Sequence, residues 1–194
     1  TREPTANWVG VAHEGGPIRA FSRFMPAFGK ALSEEQLEAA IDHIRTFCRN
    51  DAWPRGEFNL PRPLFTTKAF PEDEVVVSSL FDTEDPGSVE VEAIFEKRIG
   101  ARNQIEIAVP FGWKETQDGE WRSVLGDLTV GFKRVVYADL EAGSIISLNG
   151  EVLLPTGDEE TGFSSNTVVF EPQVLYGQIL PYGFFLHGQV GAAI

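Results

Sequence analysis

The sequence has one cysteine, one methionine and three histidines among its 194 residues. A single Cys48 cannot form a disulfide within the chain, and it cannot build a cysteine-rich metal site. The histidines, His13, His43 and His187, are too far apart in the sequence to show the spacing of a metal site. These absences exclude disulfide-stapled and zinc-finger-type small domains.

Positive charge is also scarce. The chain has 16 Lys and Arg residues against 29 Asp and Glu residues, which gives a net charge of −13. A polyanion repels phosphates, so we expect no nucleic-acid partner. Apolar runs of about 18 residues are absent, and the sequence predicts no transmembrane helix. It also lacks the motifs of serine hydrolases, zinc proteases and phosphate-binding loops, so we expect that the protein is not an enzyme.

One helix is well marked within residues 1–58. Ser33 is a good N-cap, and Gln36 completes a capping box three residues later. Apolar residues then recur at helical spacing, and the helix is predicted to end near residues 49–50. Cys48 lies on the apolar stripe, which favours a buried, inert thiol.

Residues 59–74 contain several prolines and acidic residues without a regular period, and we predict a linker there. A short strand is predicted at Glu74–Leu80. From Val89 onward, apolar and polar residues alternate with a period of two, which predicts six consecutive strands. These segments begin at Val89, Ile105, Leu128, Ile146, Val168 and Phe184.

The connections between the predicted strands are alternately short and long, and aromatic residues cluster near the strand ends. Both features are typical of an up-and-down outer-membrane β-barrel, here over residues 75–194. A soluble antiparallel sandwich or barrel has the same alternation and remains an alternative. Closed membrane barrels have at least about eight strands. We therefore expect the chain to be cut short at both ends.

Polar residues on the non-lipid side of these strands are the candidate pore lining. The alternative interpretation is simple solvation, or filling of the lumen by paired charges. The mixed signs of charge argue against a strongly ion-selective channel. The predicted lumen-facing residues are Glu106, Lys133, Asn149, Glu151, Glu171, Gln173, His187 and Gln189.

The segment "MPAFGKALSEEQLEAAIDHIRTF", which begins at Met25, resembles the C-terminal part of a class I cytochrome c domain. The resemblance implies haem c as cofactor, with Met25 as the axial iron ligand and with Phe24, Pro26 and Phe28 walling the haem pocket. A Met used only to fill a gap in the core is the alternative. The family's Cys-x-x-Cys-His attachment motif is absent from these 194 residues, so this chain alone cannot hold a covalent haem.

The second half resembles bacterial outer-membrane barrels of the MetA-like phenol-degradation or transporter type. The resemblance is carried by three blocks: "LGDLTVGFKRVV", "LNGEVLLPTGDEETGF" and "FEPQVLYGQILP". It implies a barrel in the lipid of a bacterial outer membrane, preceded by a small α-helical cytochrome c remnant in the periplasm.

Three functions follow as hypotheses. The first is electron transfer with periplasmic redox partners, by a haem c domain that the barrel anchors to the outer membrane. The second is a passive outer-membrane porin or transporter for small hydrophobic compounds. The third is a soluble all-β binding protein.

Overall fold

The computed structural model describes residues 4–19, 24–47, 54–83, 87–116, 118–157, 159 and 163–194. The protein is mainly β, with 47% of its residues in strands and 18% in helices. The strands form one antiparallel sheet that is curled into half of a barrel. This architecture confirms the predicted mainly β, antiparallel barrel fragment.

Eight strands make up the sheet, and strands that follow one another along the chain are neighbours except at β4. The six strands predicted from the alternation correspond to β2, β3, β5, β6, β7 and β8, and the predicted short strand is β1. β4 was not predicted. The strands are β1 (Glu74–Asp82), β2 (Ser88–Ile99), β3 (Asn103–Glu115), β4 (Trp121–Leu125), β5 (Leu128–Asp139), β6 (Ser144–Leu154), β7 (Val169–Ile179) and β8 (Phe185–Gly191).

β4 and β5 are two parts of one interrupted strand. Both pair with β3, β4 with its C-terminal part and β5 with its N-terminal part. Gly126 and Asp127 lie between them, and the Gly126 N–H donates to the carbonyl of Pro110, at 2.8 Å. Proline offers no N–H to the ladder. The interruption therefore lies beside the one position of β3 that cannot donate to its neighbour.

Alternation divides the sheet into two faces. We call the concave side the inner face, and it includes Gln104, Lys133, Ser147 and Leu175, which are buried. We call the convex side the outer face. The outer face carries mostly large apolar side chains that are exposed, among them Val130, Phe132, Leu148 and Phe170.

The two ends of the sheet differ in their connections. Short turns at residues 100–102, 140–143 and 180–184 lie at one end, which we call the short-turn end. Gly143 has a φ of +66°, and a Cβ there would come within 2.9 Å of the Ile179 carbonyl oxygen, so this turn requires glycine. The opposite, long-loop end carries the connections after β1, β3 and β6.

Residues 54–73, which we call the strap, run across the inner face near the short-turn end. A 3₁₀ turn at Gly56–Phe58 begins this course. Phe58, Ala69 and Phe70 from the strap form a buried cluster, and the sheet contributes Val135, Ile145 and Leu175 to it. The segment predicted as a linker is thus packed into the half-barrel. Its two buried aromatic residues, Phe58 and Phe70, are 12 positions apart and follow no period, so only their contacts with the sheet reveal this role.

Two helices precede the strap: α1 (Thr5–Glu14) and α2 (Glu34–Thr46). The predicted capping box is present, with the Gln36 N–H donating to the Ser33 hydroxyl and the Ser33 N–H donating to the Gln36 side chain. The helices pack through Val9, Leu37 and Ile41. α1 was not predicted, and Cys48 lies outside the described residues. Among the described residues, no helix has the length and apolar character needed to cross a membrane.

Candidate functional site

The structure places the eight predicted lumen residues on the inner face, on strands β3 and β5 to β8. They lie in neighbouring register rows rather than at scattered positions. That this face lines a pore stays a prediction, but several of the buried polar side chains of the described residues lie on it, among them Gln104, Lys133 and Asn149.

One register row carries carboxylates across almost the whole sheet, and we call it the carboxylate row. Each member is the direct cross-strand partner of the next. The row consists of Glu74, Glu96, Glu106, Gly131, Glu151 and Glu171. A Cβ at Gly131 would lie 3.3 Å from both Glu106 and Glu151, so the glycine leaves room for the acidic stems beside it. Like charges directly opposite destabilise a sheet, so this row needs cations or amides as partners.

Amides and a lysine in the adjacent row provide some of these partners. The Gln104 amide donates to Glu96 at 2.8 Å, and Lys133 Nζ donates to the Gln104 side-chain oxygen at 3.2 Å. The Asn149 amide donates to Glu151 at 2.6 Å. Hydrogen bonds to charged groups are the stronger kind, and buried ones fix side-chain positions. The inner face is therefore an ordered polar network.

The strap supplies further cations to this network. Arg62 Nη2 lies 2.6 Å from Glu74 and 3.0 Å from Glu96. Lys68 is buried and pairs with Glu72, four residues later in the strap. Burial raises the pKa of the Glu72 carboxyl, and the neighbouring Lys68 charge opposes that rise. Sequence reasoning missed these residues, although Glu96 already lay on the polar side of the β2 alternation.

Backbone groups fasten the strap to the inner face as well. His187 Nε2 donates to the Pro61 carbonyl at 3.1 Å, and the Thr67 N–H donates to the Gln189 side chain at 2.9 Å. The Ser147 hydroxyl donates to the Ala69 carbonyl at 2.5 Å. Two of the predicted lumen residues, His187 and Gln189, thus hold the strap. The strap covers the inner face at the short-turn end.

A cavity of about 1100 Å³ opens at the long-loop end. Its lining mixes apolar side chains such as Leu80, Leu153 and Phe163 with polar and charged ones, namely Lys114, Thr129 and several acidic residues that include Glu90 and Glu92. Lys114 Nζ lies 6.0 Å from the centroid of the Phe163 ring. Pockets of this size and mixed character suit small organic molecules.

Asp127, in the interruption between β4 and β5, orders the loop beside this cavity. Its carboxylate accepts from the Gly157 N–H at 2.9 Å and from the Ser165 N–H and hydroxyl at 2.6 and 2.7 Å. Asp127 is buried, and these partners satisfy its charge. The loop after β6 is therefore held over the sheet at the cavity's edge.

The N-terminal helices are tied to the strap through Glu57. Its carboxylate accepts from the Thr5 N–H at 3.2 Å and from Arg55, and it pairs with Arg45. Burial alone raises the pKa of Glu57, but the hydrogen bonds from Arg55, Arg45 and Thr5 outweigh burial and lower the pKa to about 2. The same strap therefore contacts both the helices and the sheet.

The residues predicted to bind haem lie in the connection between α1 and α2. Met25 is partly buried, and its carbonyl accepts from the Gly16 N–H at 3.2 Å. Phe24 is 81% exposed, and Pro26 and Phe28 are exposed too, so the described side chains of this loop do not enclose a porphyrin-sized space. Together with the absent attachment motif, these residues do not fit a covalent haem, and the haem site stays a prediction.

The outer face shows which surroundings the sheet is built for. Its exposed side chains are mostly apolar along β2, β3, β5, β6 and β7, strands of 11 to 13 residues, and the charged exceptions Lys97 and Arg134 lie toward the short-turn end. Trp113 and Trp121 lie on it near the long-loop end, and Tyr137 and Tyr176 near the short-turn end. An apolar band between two aromatic girdles, on strands of about ten residues, is the pattern of outer-membrane barrels.

The curled antiparallel sheet and this outer face define a β-barrel protein of the outer-membrane type. Residues 76–194, more than half of the chain, match the family described as MetA-pathway of phenol degradation, and the chain belongs to this family. No curated protein and no solved structure matches the chain. Family and fold together indicate an outer-membrane location.

Proposed function

We propose that the sheet is part of a passive outer-membrane transporter for small hydrophobic compounds, with its outer face in contact with lipid. The observation that carries this proposal is the cavity of about 1100 Å³ at the long-loop end, above an inner face that the strap covers at the other end. A solute can thus enter from one end and meet a barrier at the other.

The lining of the cavity favours a weakly polar substrate. Leu80, Leu153 and Phe163 offer apolar surface, and the Thr129 hydroxyl and the Glu90 and Glu92 carboxylates offer hydrogen-bonding groups beside it. An aromatic ring with one hydroxyl group, as in a phenol, matches that mixture, because a few polar groups orient an otherwise apolar ligand. The family description points to the same chemical class.

In this proposal the strap closes the transporter at its short-turn end. Short turns face the periplasm in outer-membrane barrels. This orientation puts the strap and the preceding helices on the periplasmic side. Passage toward the short-turn end then requires the strap to move away from the inner face. The path between the cavity and the strap is then lined by the predicted lumen residues Glu106, Lys133, Asn149, Glu151 and Glu171.

The test is uptake of phenol into liposomes that contain the refolded protein. Leu153→Asp puts a charge into the apolar part of the cavity and should reduce the rate about tenfold, the effect of about 1.4 kcal/mol. The matched control is Arg134→Gln, which changes the outer face away from that cavity and should leave the rate within about twofold. Equal rates for wild type, Leu153→Asp and empty liposomes would refute the proposal.

Electron transfer by a haem c domain is a second candidate, with the barrel as membrane anchor. The observation that favours it is the Met25 loop followed directly by a helix with the Ser33 capping box. Haem staining of the protein purified from its native source tests it: a covalent haem, with a reduction potential that falls in Met25→His, supports the hypothesis. Native protein without haem would eliminate it, together with its periplasmic redox partners.

A further inference from the structure

Three carboxylates converge where the strap enters the sheet. Glu74 and Glu96 are direct cross-strand partners at the start of β1 and the end of β2, and Glu72 is near the C-terminal end of the strap. One carboxylate oxygen from each residue lies within 4.8 Å of the other two. Three oxygens at such distances can all contact one ion of suitable radius.

Glu72 supplies an independent reason to expect a ligand. The residue is 6% exposed, and its Oε2 atom is buried and accepts no hydrogen bond. Arg62 Nη2 lies 4.0 Å from that oxygen, beyond hydrogen-bonding distance. A buried carboxylate oxygen without a partner is costly, so a group that coordinates it would stabilise the protein.

Space and charge at this position agree with a small cation. A cavity of about 90 Å³ is lined by Glu72, Glu96, Arg62 and Lys68, and each water needs only about 10–15 Å³ of such volume. With Glu106, which also lines the cavity, four carboxylates face the three cations Arg62, Lys68 and Lys133, so one acidic charge is left over. The cavity can therefore hold a cation together with water ligands.

We propose that Glu72, Glu74 and Glu96 form a binding site for Ca²⁺, and that the ion and the Arg62 guanidinium compete for the same carboxylates. Ca²⁺ binds carboxylate oxygens at about 2.3–2.6 Å, so oxygens that share one ion lie at most about 4.6–5.2 Å apart, and the three here are within that limit. Mg²⁺ keeps several waters and is usually bound by only one or two carboxylates, so a set of three carboxylates favours Ca²⁺.

The competition follows from the position of Arg62. A single nitrogen, Nη2, reaches Glu74, Glu96 and Glu72 within 4.0 Å, which is the place an ion would take. The guanidinium is tethered to the strap and partly exposed, so it can swing into solvent when an ion arrives. Ion binding then replaces the Arg62 attachment of the strap with a direct link between Glu72 and the two strands.

Calorimetric titration of Ca²⁺ into the full chain, refolded in detergent micelles, tests this site. Arg62→Gln removes the competitor and should tighten binding about tenfold, whereas Glu96→Gln removes a ligand and should weaken it about tenfold. Arg134→Gln on the outer face and Glu92→Gln elsewhere on β2 are matched controls and should stay within about twofold of wild type.

Two results would overturn the proposal: no Ca²⁺ binding by Arg62→Gln, or Glu96→Gln binding as tightly as wild type. Tighter binding of Mg²⁺ than of Ca²⁺ would overturn the assignment of the ion. Heat-dependent migration in SDS gels verifies folding of each variant. If Glu96→Gln does not fold, the comparison of wild type with Arg62→Gln decides alone, because equal affinities contradict the competition.

Discussion

The two faces of the sheet differ in which kind of side chain is buried and which is exposed. On the inner face, charged side chains such as Lys133 and Glu96 are buried, and each has partners from a neighbouring strand or from the strap. On the outer face, apolar side chains such as Phe132 and Leu148 are exposed. A protein in water has the reverse arrangement, with apolar side chains buried and charges exposed.

The difference shows where each face obtains its stability. The inner face is stabilised by specific contacts, above all the cluster around Phe70 and the ion pairs of Arg62. The outer face has fewer contacts of this kind, such as the hydrogen bond from Arg134 to Asn103, and its exposed apolar side chains suit an apolar solvent. Substitutions on the two faces should therefore destabilise the protein for different physical reasons.

The largest effect is expected where the strap inserts into the inner face. Phe70 is 1% exposed, and Phe70→Ala should lower the free energy of unfolding by about 3–5 kcal/mol, because it leaves a cavity in the buried cluster. Phe65, which is 96% exposed in the same strap, is the control. Phe65→Ala should change the free energy of unfolding by less than about 0.5 kcal/mol. Urea unfolding in lipid bilayers measures both, and equal effects would show that the strap is not anchored.

Introducing the same charge on each face should give the next largest effect. Phe132→Arg places a cation on the outer face near the middle of β5 and should cost about 2–4 kcal/mol if that face contacts lipid as proposed. Thr129→Arg, three residues earlier on the inner face, points into the large cavity and should cost less than about 1 kcal/mol. Unfolding curves in bilayers give the free energy of unfolding of both variants. A larger decrease for Thr129→Arg than for Phe132→Arg would contradict the assignment of the two faces.

Acid should weaken the contact between the strap and the helices, and this effect on stability should be smaller than that of the substitutions above. The pKa of Glu57 is about 2 in the folded protein and 4.5 ordinarily, so its stabilisation is complete above pH 4.5 and is lost as the pH falls toward 2. The shift corresponds to at most about 3 kcal/mol, and solvent screening of Arg55 reduces this to about 1–2 kcal/mol.

Limited proteolysis of residues 4–47 as a function of pH measures the Glu57 contribution. Cleavage in wild type should accelerate below pH 4.5, while Glu57→Gln should already be cleaved faster at pH 7 and show less pH dependence. Glu34→Gln, at the exposed start of α2, is the matched control. The same pH dependence in Glu57→Gln and wild type would assign the acid effect to another group.

Much of the sheet could be predicted because its signal is local. Alternation over about ten residues decides which side chains share a face, and the six strands from Val89 onward follow from it. The capping box at Ser33 is equally local, since its partner Gln36 is three residues away. Strand β4 was missed because Trp121–Leu125 is short and ends at an interruption fixed by Asp127 with Ser165, far along the chain.

The strap and its network could not be predicted for a related reason. Phe58 and Phe70 look like isolated aromatics in a proline-rich segment, and only the curled sheet brings Val135 and Leu175 against them. Arg62 likewise finds Glu96 across 34 residues. Such contacts have no period, so the sequence indicated a linker where the structure has a packed element.

The central claim is that the outer face lies in lipid and the inner face does not. In a Cys48→Ser background, nitroxide labels on Val130, Phe132 and Leu148 should collide with oxygen and be shielded from a water-soluble nickel reagent. Labels on the inner-face residues Thr129 and Leu153 should show the opposite preference, with a period of two along each strand. Equal access of the nickel reagent to both sets would contradict a membrane barrel and favour a soluble binding protein.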